Sequence, residues 1–260
     1  MTIFLEFRKF INGIFTWICL WFLFSFFFFL FGLGEVVIFG RSYLLPVPRD
    51  DSFSILFFNK MQSDLLPPDV HLIVTNPLDA FVSQILISLV LAFVTTFPFF
   101  LYKIIKYLTP ALFPKERKAI LRSLFPGVFL FLAGSIFAYY FLVPTTFNIL
   151  YPYATRIGAT PFFAVDEFIS SVLGLSIATG VMFLLPLFMI LLSFLHIIEP
   201  IFWRSKWRHA ILFFLIFSAI ITPDGTGVTM ALLFLPMALL YFSGCVLTAR
   251  FDKSKISLVS

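Results

Sequence analysis

Long stretches of this chain carry no Asp, Glu, Lys or Arg, among them residues 10–34, 80–102, 123–155 and 225–249. Each exceeds the ~20 residues that an apolar helix needs to cross the hydrocarbon core of a bilayer. The 260 residues are 61% hydrophobic and 12% charged, with a mean hydropathy of +1.05. A soluble domain of this length could not hide so much apolar surface, because burial rises too slowly with chain size. Lipid solvates such side chains but offers the backbone no hydrogen bonds, so only helices or a closed barrel can span it. Barrel strands alternate in polarity over ~10 residues, and these runs do not alternate. The sequence therefore predicts an all-α membrane protein in one polytopic domain, residues 1–260.

Six spans are expected, at about 13–33, 79–105, 120–142, 168–195, 210–221 and 229–247, with a long outer loop at 34–78. The first apolar run is too long for a signal-peptide core and reads as a retained span. The fifth is too short to cross alone at ~1.5 Å per residue. It is expected to pair with the sixth as a short hairpin that does not reach the far surface. Pro98, Pro126, Pro186 and Pro236 fall within spans. Each removes a helical hydrogen bond and kinks its helix, which favours helices that curve around a concavity. The forty phenylalanines are read as compositional, and Cys19 and Cys245 as small apolar fillers.

The sign of the charge between the runs sets orientation. With the N-terminus inside, fourteen of eighteen basic residues lie inside, in the N-tail, the second-to-third loop, the fourth-to-fifth loop and the C-tail. Only Arg41, Arg49, Lys60 and Arg156 lie outside, with most of the acids. The excess of inner Lys and Arg predicts both termini on the cytoplasmic side. The net charge of +5 is then a feature of the inner membrane surface rather than of nucleic-acid binding.

No ionisable residue falls near the middle of a span, which argues against a pump or an ion-coupled carrier. No nucleophile has a base beside it and no metal-ligand spacing is present, which argues against an enzyme, a cofactor or a metal. A channel or transporter for a small, weakly polar solute is the alternative, but the spans supply little polar lining. A scaffold without a recognition site is a third reading.

Two acids stand out on the basic inner face. Glu6 precedes the first span in Leu5-Glu6-Phe7-Arg8-Lys9, and Glu116 lies in Pro114-Lys115-Glu116-Arg117-Lys118. Either could serve only as a salt-bridge partner for its neighbours. Alternatively, two carboxylates on one face can bind a pair of arginines, since each accepts the planar guanidinium fork bidentately and lysine offers no such fork.

Here the chain resembles a family. Its Leu5-to-Lys9 tail is similar to a leucine-glutamate-x-arginine N-tail. Thr75-Asn76-Pro77-Leu78-Asp79-Ala80-Phe81 resembles that family's start of span two. Tyr107-Leu108-Thr109-Pro110-Ala111-Leu112-Phe113 with Glu116-Arg117 resembles its first inner loop, and Ile221-Thr222-Pro223-Asp224 with Leu235-Pro236 and Leu240-Tyr241 its last hairpin. In this order the motifs resemble TatC, the multi-spanning subunit of the twin-arginine protein translocase. The resemblance implies a receptor for the twin-arginine signal peptides of folded precursors, exported across the cytoplasmic membrane with the proton-motive force. It implies TatA-type single-span partners and a homo-oligomeric receptor complex in a prokaryotic or organellar membrane. By position, Glu6, Arg8, Tyr107, Pro110, Glu116 and Arg117 would form the signal-peptide site. Thr222, Pro223 and Asp224 would form an outer turn or partner contact, and the hairpin that follows has an archaeal style. Where the family often carries Glu or Gln in span four, this chain has Leu184. An intramembrane polar contact to a partner would then fall to Gln84, Thr95 or Thr179.

Overall fold

A computed structural model of the chain describes residues 2–38, 41–48, 52–66, 70–108, 121–156, 162–195, 197–222 and 227–256. Side chains are described for these except 2–7, 9–10, 34–38, 41–45, 71, 107–108, 150–156 and 251–256. The order of elements is α1 (Thr2–Leu30), β1 (Phe31–Ile38), β2 (Arg41–Pro48), α2 (Phe53–Leu65), β3 (His71–Ile73) and α3 (Asp79–Leu108). Then come α4 (Leu124–Phe137), a π-helical turn (Ala138–Leu142), α5 (Val143–Arg156), β4 (Phe162–Ala164), α6 (Val165–Phe183) and α7 (Leu185–Phe194). The described chain closes with α8 (Pro200–Ser205), α9 (Trp207–Ile221) and α10 (Val228–Ile256).

Among the described residues, five stretches are long and apolar enough to cross a membrane: Ile11–Leu30, Asp79–Lys106, Leu124–Ile149, Val165–Phe194 and Val228–Arg250. The helix Trp207–Ile221 is apolar but shorter. At ~1.5 Å per residue it reaches about 22 Å, short of the ~30 Å hydrocarbon core. The expected brevity of the sixth span is corrected: its apolar stretch has 23 residues, and the helix runs on to Ile256. Regular structure also stands where a loop was expected, at 34–78. α1 ends at Leu30, and the chain turns straight into an antiparallel hairpin that pairs Phe31 with Pro48 and Ile38 with Arg41.

The prolines act in two ways. Pro98 and Pro236 sit inside continuous helices. Pro126 falls in the first turn of α4 and Pro186 in that of α7, where the missing N–H has no helical partner to lose. The α6–α7 break is centred on Leu184, two residues before Pro186. A further proline, Pro144, follows the π-turn, in which the Val143 N–H donates to Ala138 O, five residues back. The extra residue in that turn relieves the clash that a proline ring makes with the preceding turn.

The chain divides into two compact units, Met1–Lys103 with Phe147–Leu173, and Ile104–Thr146 with Gly174–Ser260. In the first unit, α1 and α3 run antiparallel. Phe29 meets Phe81, Trp21 meets Phe93, and Trp17 meets Phe100 with ring centroids 4.5 Å apart. The Trp21 indole N–H donates to Leu89 O at 2.8 Å. Gly13 lies against the side chain of Lys103. A parallel pairing of His71–Ile73 with Phe162–Ala164 ties the outer loop to the start of α6. The turn that leads into α3 is held by Asp79: the Asn76 N–H donates to Asp79 Oδ2 at 2.7 Å and the Asp79 N–H donates to Asn76 O at 3.0 Å, with Pro77 between them in the turn before the helix.

In the second unit, α4 crosses α6 through glycines. A Cβ on Gly134 would lie 2.8 Å from Phe183 Cβ, and one on Gly180 would lie 2.4 Å from Ser135 Oγ. Only the absence of a side chain allows these backbones to approach so closely, a common device between helices in lipid. α7, α8 and α9 pack on α10, around buried Met189, Phe214, Leu233, Met237 and Tyr241.

Candidate functional site

The antiparallel register of α1 and α3 sets the geometry at the base of the first unit. Reading from Phe29–Phe81 through Trp21–Leu89 to Gly13–Lys103, the N-terminal end of α1 lies at the basic end of α3. Glu6 belongs to the first turns of α1, although its side chain is outside the described set. Arg8, one turn from the start of the apolar stretch, is exposed. A cation there can turn to solvent or to a ligand. Tyr107 is in the last turn of α3, backbone only. Pro110, Glu116 and Arg117 lie outside the described residues.

The intramembrane candidates separate into three environments. Gln84 is committed: its Nε2 donates to Ser52 Oγ at 3.0 Å, and Ser52 pairs with Ser54 at 2.8 Å. This chain of polar groups clamps α2 against α3. Thr95 is exposed, and its hydroxyl bonds back to Leu91 O. Such back-bonding is common for hydroxyl residues in apolar helices, and Thr16, Thr96, Thr145, Thr146 and Thr222 show it too. Thr179 departs from the pattern. It is 1% exposed, and its Oγ1 has no hydrogen-bond partner among the described residues. Ser135 Oγ, at the same glycine crossing, shares that condition. Leu184, at the α6–α7 break, is half-buried and supplies no polar group. In the outer turn, Thr222 is buried and donates to Ser218 O at 2.9 Å, closing α9. Pro223 and Asp224 lie outside the described residues.

The family model of TatC, the Sec-independent protein translocase protein, matches residues 2–236. The chain belongs to the TatC family. It is 34% identical over 219 residues to a TatC from Cenarchaeum symbiosum (strain A), covering 84% of this chain and 83% of that relative. It is 33% identical over 175 residues to a TatC from Aquifex aeolicus (strain VF5), covering 67% and 72%. A crystal structure of the twin-arginine translocase receptor TatC superposes with a TM-score of 0.77 at 27% identity, covering 94% of this chain and 98% of that one. The protein is thus a multi-pass component of a twin-arginine translocase in the cytoplasmic membrane, working with other Tat subunits.

Sequence reasoning missed a second feature of the membrane boundary. The Trp203 indole N–H donates to Ser193 Oγ at 3.0 Å, and the Tyr241 hydroxyl donates to the Trp203 carbonyl. These bonds fasten α8 to α7 and α10 beside a cavity that Lys206 and His209 also line. The residues come from four separate elements, so no local spacing in the sequence announces them.

Proposed function

We propose that Glu6 and Glu116 are the carboxylates that receive the arginine pair of a precursor's signal peptide. Arg8, Tyr107, Pro110 and Arg117 shape the same patch. The supporting observation is the α1–α3 register, which sets the N-tail end of α1 at the basic end of α3, in a chain of the TatC family. Each carboxylate accepts two N–H bonds from one guanidinium, a geometry that the point charge of lysine does not reproduce. The reading includes six spans with both termini inside, in one polytopic domain. It also includes TatA-type single-span partners and assembly of several copies into the receptor complex, in a protein whose role is recognition and passage rather than catalysis. Among the three intramembrane candidates, Thr95 is the one exposed to a neighbour, whereas Gln84 is bonded to Ser52 and Thr179 is buried within the fold.

The test is binding of a twin-arginine signal peptide to the purified protein and to its Glu6→Ala and Glu116→Ala variants. Loss of affinity in both, with a smaller loss for a peptide carrying Lys-Lys, supports the proposal. Equal binding by all three proteins overturns it.

A further inference from the structure

The second unit contains a cavity of about 520 Å³ between α7, α8, α9 and α10. Leu185, Phe188 and Phe213 form apolar parts of its lining, which also includes Trp203, Lys206 and His209. Phe188 is 59% exposed and Phe213 57%, so this apolar lining opens to the surroundings of the helices, which in a membrane are lipid chains.

The polar atoms of the wall are already used. Trp203 Nε1 is spent on Ser193, and the Tyr241 hydroxyl on the Trp203 carbonyl. Lys206 and His209 remain as donors, and both are exposed. Arg204 and Arg208 flank them, and none of these bases forms an ion pair among the described residues. Glu199, the acid of this stretch, stands at the N-cap of α8, five residues before Arg204. Trp207 is exposed with Arg208 5.5 Å above its ring, a pairing suited to the headgroup layer, where amphipathic rings and basic side chains collect.

A site that combines aromatic walls with the unspent N–H donors of Lys206 and His209 fits a molecule with an apolar tail and an anionic head. We propose that this cavity holds an anionic phospholipid of the surrounding bilayer, its acyl chain along Phe188 and Phe213 and its phosphate held by Lys206 and His209. Basic groups near a membrane surface favour anionic over zwitterionic lipid.

The full-length protein is purified in detergent, exposed to equal amounts of phosphatidylglycerol and phosphatidylcholine, and the retained lipid is counted by native mass spectrometry. Phosphatidylglycerol is expected to be retained in preference by about fivefold or more. The Lys206→Gln/His209→Gln double variant is expected to lose that preference, and Lys206→Arg to keep it. Brominated phosphatidylglycerol quenches Trp203 emission, read as the difference between the wild type and Trp203→Phe. Equal retention of the two lipids, or a preference that survives the double variant, overturns the proposal. So does displacement of the lipid by inorganic phosphate alone, which would make this a site for the free anion. Helical circular dichroism confirms that each variant is folded, and if the double variant is not, the Trp203 quenching of the wild type decides.

Discussion

Two boundary stretches of this protein, 103–122 and 199–209, both hold more bases than acids, yet they point to opposite ligands. In the first, Glu116 lies between Lys115 and Arg117, and in the proposed site it joins Glu6 to receive cations. In the second, Glu199 is set at a helix N-terminus, and Lys206 and His209 line a largely apolar cavity with no ion pair among the described residues. The number of Lys and Arg residues sets which side of the membrane a segment occupies. It is the placement of single carboxylates, and what the neighbouring donors already bind, that separates a cation site from an anion site.

The largest effect expected from this contrast is on peptide binding. A hydrogen bond to a charged group contributes roughly 1.5–3 kcal/mol, so Glu116→Ala should weaken a twin-arginine peptide by about tenfold to a hundredfold. Isothermal calorimetry in detergent reads this directly. Next in size, replacing Arg-Arg by Lys-Lys in the peptide should weaken binding to the wild type by about tenfold, through loss of the bidentate fork. The two penalties should overlap in the Glu116→Ala variant, as a double-mutant cycle would show. Lys206→Gln sharpens the contrast from the other side. It should leave peptide affinity within about twofold, because a base outside the site acts only through screened, long-range charge. A tenfold change there would erase the distinction between the two stretches. The smallest effect is expected from Tyr241→Phe, which removes the hydroxyl bond to the Trp203 carbonyl. It should lower stability by about 1 kcal/mol, seen as a reduced thermal midpoint with peptide affinity unchanged.

The spans were legible because a bilayer imposes a long, uninterrupted apolar run, and composition alone exposes such runs. The brevity of α9 was legible for the same reason, as 15 residues cannot be stretched to the membrane's thickness. The length of α10 was not. Arg250, Asp252, Lys253 and Lys255 look like the tail that follows a span, but charged residues of good helix propensity extend a helix into water as readily as they end one. The hairpin at Phe31–Pro48 was hidden because its glycines and prolines read as loop, although Val36, Val37 and Ile38 favour a strand. The π-turn before Pro144 depends on how one turn accommodates a ring, which no periodicity records.

For the site, Glu6 and Glu116 could be singled out as acids on a basic face, but their proposed role came from the ordered resemblance to TatC. Gln84 and Thr179 looked alike in sequence. Folding separated them by giving Gln84 a serine partner on α2 and leaving Thr179 buried without one.

The central claim is that positions 6 and 116 lie on the inner side, within reach of one short peptide. Photoreactive residues placed beside them, at Phe7 and at Lys115, leave both carboxylates intact and test this in native membranes with a twin-arginine precursor. The account predicts adducts to the signal peptide from both positions, and their loss when the arginine pair is changed to lysines. Adducts from only one position, or adducts indifferent to the arginines, would contradict it.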